Sequence, residues 1–326
     1  MKESEIRNRE AFSRYLELLA EDTERFFDPA TFEPAACPAC AATACAHEFV
    51  KTGFTYVTCD VCHTLYCNPR PRFEDLIGFY ADSPSTSYWV SDFFMPVAEA
   101  RRVKIFRPRA EYVAQALPEL ATGCVGDIGA GFGIFLEEMR AVSPEAEAVA
   151  IEPSVEQAGI CSGKGLEVFP CALEEVDGAD GRFDLLTAFE LMEHLHDTET
   201  FMTRVGELLK PGGHFLFTTL NGRGYDIALL WAASRSVSPP GHINFLNPES
   251  ARLLLDRFGF EVVEIATPGK LDVDIVEGAI ESGEGDPGRF IRFVAEDASP
   301  EAKAALQDWI AENRFSSHMR VLARKR

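Results

Sequence analysis

Two cysteine pairs, Cys37-Pro-Ala-Cys40 and Cys59-Asp-Val-Cys62, stand 18 residues apart. Two C-x2-C knuckles at this spacing suit a structural zinc site, in which four thiolates close a tetrahedron and leave no open position for a substrate. Such a site supplies folding free energy to a segment too small for its own core. Cys45, His47, His63 and Cys67 lie close by as substitute ligands. A second reactive group is the run Phe189-Glu-Leu-Met-Glu-His-Leu-His-Asp197. If Glu190, Glu193 and His194 open a helix, their i, i+3 and i+4 positions share one face. His242 sits farther on, in Pro240-Gly-His-Ile-Asn-Phe245. Histidine titrates near neutrality, so His194 or His242 suits a general base that removes a hydroxyl proton. The set Glu190, Glu193, His194 and His242 equally suits a divalent ion such as Mg2+, which would orient and acidify that hydroxyl. A plainer reading has the Glu-His pair capping and packing a helix.

The densest glycine run is Val125-Gly-Asp-Ile-Gly-Ala-Gly-Phe-Gly133. A dinucleotide turn reads G-x-G-x-x-G, but here the spacing is G-x-G-x-G and position 134 is Ile. Asp127, just ahead of the glycines, repels phosphate and suits a cation or an amino group. Glu152 follows Gly133 by 19 residues, the distance at which a carboxylate grips ribose hydroxyls. A ligand with ribose, no phosphate and positive charge fits this pattern.

These residues need a scaffold, and the pattern supplies one. From 122 onward short apolar strands alternate with helices: CVGDIGA, GIFLEEMRAV, EAVAIEP, VEQAGICSGKG, LEVFP, RFDLLTAFE, TFMTRVGELLK, GGHFLFTTLN, SARLLLDRFGF, EVVEIATP and finally SHMRVLARK. Such alternation predicts an α/β fold with a parallel sheet, whose ligands bind beyond the carboxyl ends of the strands. Domain organisation is expected as a helical segment 1–36, a ribbon 37–72, a helical connector 73–112 and the main domain 113–326. Within the last, 221–241 is expected as a lid and 270–315 as a helical insertion. ADSPSTS reads as a loop between helices. The Arg101, Arg102, Lys104, Arg107 and Arg109 cluster reads mainly as a solvated helix face, with one or two members free to meet an anion. Asp272 and Asp274 read as solvated loop carboxylates.

The net charge of −21 over 326 residues argues against a nucleic-acid partner, which needs Lys and Arg to displace counterions. The 46% hydrophobic and 25% charged composition is that of a soluble globular protein. No apolar run reaches a membrane span and the start MKESEIRNREAF lacks an apolar signal core, so the expectation is a cytoplasmic protein with no membrane partner. The nine cysteines are then thiols or metal ligands. Oligomeric state is not legible.

The run 120–265 resembles the class I S-adenosylmethionine-dependent methyltransferases, through Val125–Gly133, Glu152, Phe183-Asp184 with Glu190–Leu195, and Leu208–Gly213. The resemblance implies a Rossmann-like seven-stranded α/β methyltransferase core with an N-terminal zinc ribbon and helical additions. It implies S-adenosylmethionine as cofactor, with Asp127, Gly129, Ala130 and Gly131 at the methionine moiety and Glu152 at the ribose. Ala172 and Leu173 would flank the adenine, and Glu190 is a further candidate contact. Tyr80, with Tyr88 and Trp89, would either close over the cofactor or simply pack. A ribbon ahead of this core resembles small-molecule methyltransferases of polysaccharide and natural-product pathways, and also ribosomal-RNA methyltransferases; the acidic charge favours the former. The E-x-x-E-H run is similar to that of small-RNA 3′-end methyltransferases and a quinone-pathway O-methyltransferase, where it holds a metal. Sugar C-methyltransferases with such a ribbon carry Tyr-x-Glu-His where this chain has Pro239-Pro240-Gly241-His242, which tilts the expectation from carbon to oxygen. The expected activity is O-methylation of a sugar or natural-product hydroxyl. Sugar C-methylation, ribosomal-RNA methylation and non-catalytic cofactor binding are the alternatives.

Overall fold

The computed structural model describes residues 5–326; residues 1–4, which begin the stretch read for an export signal, lie outside the described residues. Among the described residues the strands, in chain order, are β1 (Cys45–Lys51), β2 (Phe54–Cys59), β3 (Leu65–Cys67), β4 (Cys124–Ile128), β5 (Glu147–Ile151), β6 (Glu167–Phe169), β7 (Phe183–Phe189), β8 (Leu209–Leu220), β9 (Asn244–Phe245), β10 (Phe260–Ala266) and β11 (His318–Lys325). The chain divides into two compact units: Met1–Val97 with Thr219–Leu253 and Ala266–Arg320, and Ala98–Thr218 with Leu254–Ile265 and Val321–Arg326.

The second unit is built on a seven-stranded sheet in the order β10-β11-β8-β7-β4-β5-β6. The pairs β6–β5, β5–β4, β4–β7 and β7–β8 are parallel. The chain runs outward from β4 to β6, then returns to place β7 on the other side of β4. That reversal is the switch point at which open α/β sheets bind ligands. All five residues of β4 are buried, as a strand covered on both faces requires. Val125, Phe135, Leu136, Met139, Ala150 and Leu185 form the centre of its core, joined by Ala110 and Val113 of the helix Arg107–Ala116. Gly133 begins the helix Ile134–Val142 at φ +68°, and a Cβ there would lie 2.7 Å from Leu166 Cδ1. Only glycine meets both conditions.

The first unit holds a four-stranded sheet, β1-β2-β3-β9. The chain β1-β2-β3 is an antiparallel meander, and β9 joins β3 with Leu65 opposite Phe245 and Tyr66 opposite Asn244. Its core gathers Phe27, Phe54, Tyr56, Leu76, Phe79, Ile243 and Phe245. The N-terminal helix Arg9–Phe26 packs here through Leu19, with Asn8 accepting from the Ala11 amide as its cap. ADSPSTS is not the expected loop. Ser83 caps a short helix, Pro84–Tyr88, with proline at its first position, where a missing N–H costs nothing. The 270–315 stretch holds three helices, Asp272–Glu281, Arg289–Asp297 and Pro300–Glu312. No helix among the described residues is long and apolar enough to cross a membrane.

Candidate functional site

Three carboxylates stand at the carboxyl ends of three adjacent strands of the second unit. Asp127 is the fourth residue of β4, Glu152 follows β5 and Glu190 follows β7. The parallel register aligns Asp127 with Ala150 and Thr187. Glu152 and Glu190 therefore leave their strands at nearly the same height, one on each side of β4.

Asp127 is buried and accepts a hydrogen bond from Thr187 Oγ1 at 2.6 Å. Burial pushes its carboxyl up to about 7, against the opposing pull of Thr187 and Arg109. Glu152, also buried, accepts from the Gly131 amide at 2.7 Å on one oxygen and the Ser154 amide at 2.9 Å on the other. A carboxylate offers about four lone-pair sites, so each oxygen keeps one for a hydroxyl donor. Burial raises this carboxyl as well. Gly129 and Gly131 hold φ of +66° and +55°, and a Cβ built on either meets nothing closer than 3.8 Å. These are ordinary contacts, with Leu191 and Gln157 respectively, so the left-handed backbone and not a clash calls for glycine here; the turn follows Asp127 and is held at its edge by Glu152 through the Gly131 amide. The donor set fits S-adenosylmethionine: buried anions for its cationic amino acid end and free lone pairs for its ribose. Ala172 precedes a short 3-10 turn, Leu173–Glu175, and Leu173 is buried.

Glu190 corrects one expectation. It does not open a helix with Glu193 and His194. Its φ is +53° and its amide donates to the Thr218 carbonyl at 3.0 Å, as if prolonging the sheet. Its Oε1 accepts from Arg109 at 2.7 Å and from Thr218 Oγ1 at 2.7 Å. A left-handed non-glycine residue is strained, and such strain gathers at functional sites. Only Met192–His194 forms a turn, a 3-10 one; within it the Glu193 carboxylate is buried, with a ligand atom within 4.8 Å of one on His194. The cap of the following helix Thr198–Leu208 is Asp197, which accepts from the Glu199 and Thr200 amides at 3.0 Å each.

Arg109 departs from the solvated face expected for most of its cluster, and the anion it meets is a protein carboxylate. Its side chain is 13% exposed, lies 4.4 Å over the Phe189 ring and pairs with Glu190. The signal was present: Phe106, Ala110 and Val113 mark the apolar stripe of its helix, and position 109 falls on it. Arg102 and Arg107 instead pair with Glu137 and Glu138 of the helix Ile134–Val142.

In the first unit, His242 Nδ1 lies 2.7 Å from the Ser236 carbonyl oxygen. A carbonyl only accepts, so Nδ1 carries hydrogen and Nε2 is the ring's basic position. Tyr80 is 42% exposed, on the helix Phe73–Asp82, edge-on to Phe79. Asp272 is no solvated loop residue. It is buried, and accepts from Ser316 Oγ, the Ser317 amide and Gln307 Nε2 at 2.8, 2.7 and 2.8 Å.

Cys37, Cys40, Cys59 and Cys62 converge, with their sulfurs all within 4.8 Å of one another. The Cys37–Cys62 and Cys40–Cys59 sulfurs are 3.4 and 3.5 Å apart. Metal–sulfur bonds of about 2.3 Å in a tetrahedron separate sulfurs by about 3.8 Å, so the four fit zinc. Both knuckles fold alike. The Ala41 amide donates to the Cys37 carbonyl, and the His63 amide to that of Cys59, each at 2.9 Å. Ala41 and His63 hold φ of +61° and +57°. The Cys37 amide reaches Ala42 and the Cys59 amide reaches Thr64, again at 2.9 Å each. Cys67 instead turns to the Pro69 carbonyl.

A parallel-centred seven-stranded sheet with this strand order and these carboxylates defines the class I S-adenosylmethionine-dependent methyltransferases. The chain belongs to the methyltransferase domain family, whose sequence profile matches residues 98–265, just over half its length. It is similar to the ubiquinone biosynthesis O-methyltransferase of Alkalilimnicola ehrlichii, 30% identical over 159 residues, which cover 46% of this chain and 62% of that protein. It is similar also to the mitochondrial human protein of that name, 31% identical over 152 residues, 42% of this chain and 41% of the relative. The chain thus spans less than two thirds of either protein. Among solved structures it resembles a SAM dependent methyltransferase from Archaeoglobus fulgidus, at 17% identity and a TM-score of 0.47, covering 71% of this chain and all of that one.

Proposed function

We propose that the protein transfers a methyl group from S-adenosylmethionine to a hydroxyl oxygen of a small molecule, a sugar or natural product. The observation that carries this is the left-handed glycine turn of the second unit, set between a buried Asp127 and a buried Glu152 whose oxygens, each already accepting one backbone amide, keep lone pairs for a ribose. The names of the relatives, O-methyltransferases both, support oxygen as the acceptor atom. When bound, S-adenosylmethionine supplies an electrophilic sulfonium methyl. Asp127 would hold the cationic amino end of the cofactor, Glu152 would hold the ribose, and Ala172 and Leu173 would flank the adenine. Glu190, fixed by Arg109, shapes the end of β7 beside them. As the acceptor oxygen takes that methyl and the carbon–sulfur bond gives its electrons to sulfur, the hydroxyl proton would pass to a histidine of this chain. His242, with Nε2 as its basic nitrogen, is our first choice for that base, and His194 the second. Holding nucleophile and methyl in line is worth an effective molarity of about 10⁵ M or more, so a proton acceptor and good positioning suffice. Zinc at Cys37, Cys40, Cys59 and Cys62 has a structural part only.

The deciding experiment is transfer of labelled methyl from S-adenosylmethionine into fractionated extract of the source organism, with His242→Ala and His194→Ala in parallel. Label in small-molecule fractions, lost in one histidine variant, is the expected result. Label in RNA would overturn the assignment of a small acceptor. Retention of full activity in both variants would overturn the histidine base.

A further inference from the structure

A cavity of about 360 Å³ opens in the first unit, between the helix Arg9–Phe26, the end of β1 and the 232–239 run. Its size falls within the range of about 300–1,000 Å³ usual for small-molecule sites. Most of its wall is apolar, with Leu16 and Leu19 from the helix and Val237 and Pro239 from the 232–239 run. Two cations and one anion interrupt that wall: Lys51, Arg235 and Glu284. Glu284 is committed, because its two oxygens accept from Nε and Nη2 of Arg235 in a bidentate pair. Lys51 is not matched in this way. Its Nζ donates to the Ser234 carbonyl at 2.8 Å, its one hydrogen-bond partner among the described residues. An ammonium has three donors. The wall therefore carries a net positive charge, centred on a lysine with donors to spare.

We propose that this cavity binds a small amphipathic carboxylate, its head paired with Lys51 and its apolar body laid against Leu16, Leu19, Val237 and Pro239. A carboxylate answers both features at once: it neutralises the excess cation and fills apolar volume. A neutral apolar molecule would leave Lys51 without a counter-charge, and a multiply charged anion would waste the apolar wall. Burial already lowers the Lys51 amine to about 8, with Glu284 opposing the shift only in part. A bound carboxylate reverses that penalty. The 232–239 run lies in the stretch 221–241 expected as a lid, so the occupant would also tie this run to the N-terminal helix. The inference stands apart from methyl transfer and does not depend on it.

The test is calorimetric titration of the full-length protein with octanoate and with benzoate, against 1-octanol and benzamide. Saturable binding of at least one acid is expected, about tenfold tighter than its neutral counterpart, as a hydrogen-bonded charge pair predicts. Lys51→Met should weaken it about tenfold, while Lys51→Arg retains it. Ala20→Trp, at an exposed position of the helix that lines the cavity, should abolish binding by filling the space while leaving the fold intact. No binding of either acid, equal binding of acid and neutral analogue, or full binding to Ala20→Trp would each overturn the proposal. If Lys51→Met fails to fold, the neutral analogues and Ala20→Trp decide it alone.

Discussion

The Tyr56 hydroxyl, on the second strand of the ribbon, donates to the backbone carbonyl of His242 at 2.8 Å. Next along the chain, the Ile243 carbonyl accepts from the Cys67 amide at 2.8 Å, and β9 completes the ribbon sheet. The ribbon is thus the frame on which His242 is mounted. Tyr56 is fully buried, so losing its hydroxyl leaves the His242 carbonyl short of a partner, at about 1–2 kcal/mol. Tyr56→Phe should lower stability by that amount in urea unfolding. It should also slow methyl transfer several-fold while leaving the Kd for S-adenosylmethionine unchanged. An equal loss in cofactor affinity would place the effect elsewhere.

On the proposed reading, the same frame would make zinc a condition for activity without a chemical role. Metal analysis should find one zinc per chain, lost in Cys59→Ser. The sulfurs lie in the first unit and the glycine turn in the second. Zinc removal should therefore melt the ribbon first, lowering the thermal midpoint by on the order of 10 °C if about 3 kcal/mol is lost. Cofactor binding should outlast activity as a chelator is added. Simultaneous loss of both would contradict that separation.

What the sequence shows and hides follows from how local each signal is. The glycine turn was legible because a left-handed backbone at Gly129, Gly131 and Gly133 demands a residue type. The four cysteines were legible because two identical turns set their spacing. Glu190 was misread because its conformation is decided by Thr218 and Arg109, far away in sequence. β9, two residues long, is too short to show any periodicity. Asp272 read as a loop carboxylate because nothing near it in sequence hints at Ser316, Ser317 and Gln307. The Ser83-Pro84 cap could have been found, since serine followed by proline is a helix start as well as a turn.

Asp127 gives the site a pH dependence whose sign can be worked out. Its carboxyl titrates at 3.8 when unperturbed and at about 7 in the folded protein, raised by burial. The folded state therefore holds the proton more tightly. The stabilisation is complete below the unperturbed value, declines as pH rises and is gone above about 7. On the proposed reading, in which Asp127 meets the cofactor's cationic amino group, cofactor binding should run the opposite way, because that cation favours the ionised carboxylate. Titration calorimetry should find S-adenosylmethionine binding tightening as pH rises from 5 towards 7, by up to about tenfold per unit, then levelling. Asp127→Asn should weaken binding and flatten that slope. A slope unchanged in Asp127→Asn would assign the proton to another group, Glu152 first.

The Arg109–Glu190 pair tests whether the strained end of β7 is held by electrostatics. The side chains are 13% and 36% exposed, so the pair is neither a surface bridge nor a fully desolvated one. Breaking a buried pair costs about 3–5 kcal/mol and a surface pair about 0–1. Glu190→Leu should fall between, at about 2 kcal/mol, because it leaves Arg109 without its carboxylate. Arg109→Leu should cost a similar amount. Removing both charges should cost less than the sum, since neither is then stranded, and a double-mutant cycle should return about 1–2 kcal/mol of coupling. Glu190 keeps its φ of +53° only while these bonds outweigh its strain. Replacing it with glycine removes the strain along with the carboxylate, so Glu190→Gly should destabilise less than Glu190→Leu. If the two variants are equally unstable, or the cycle closes with no coupling, the turn is held by packing against Phe189 and not by the ion pair.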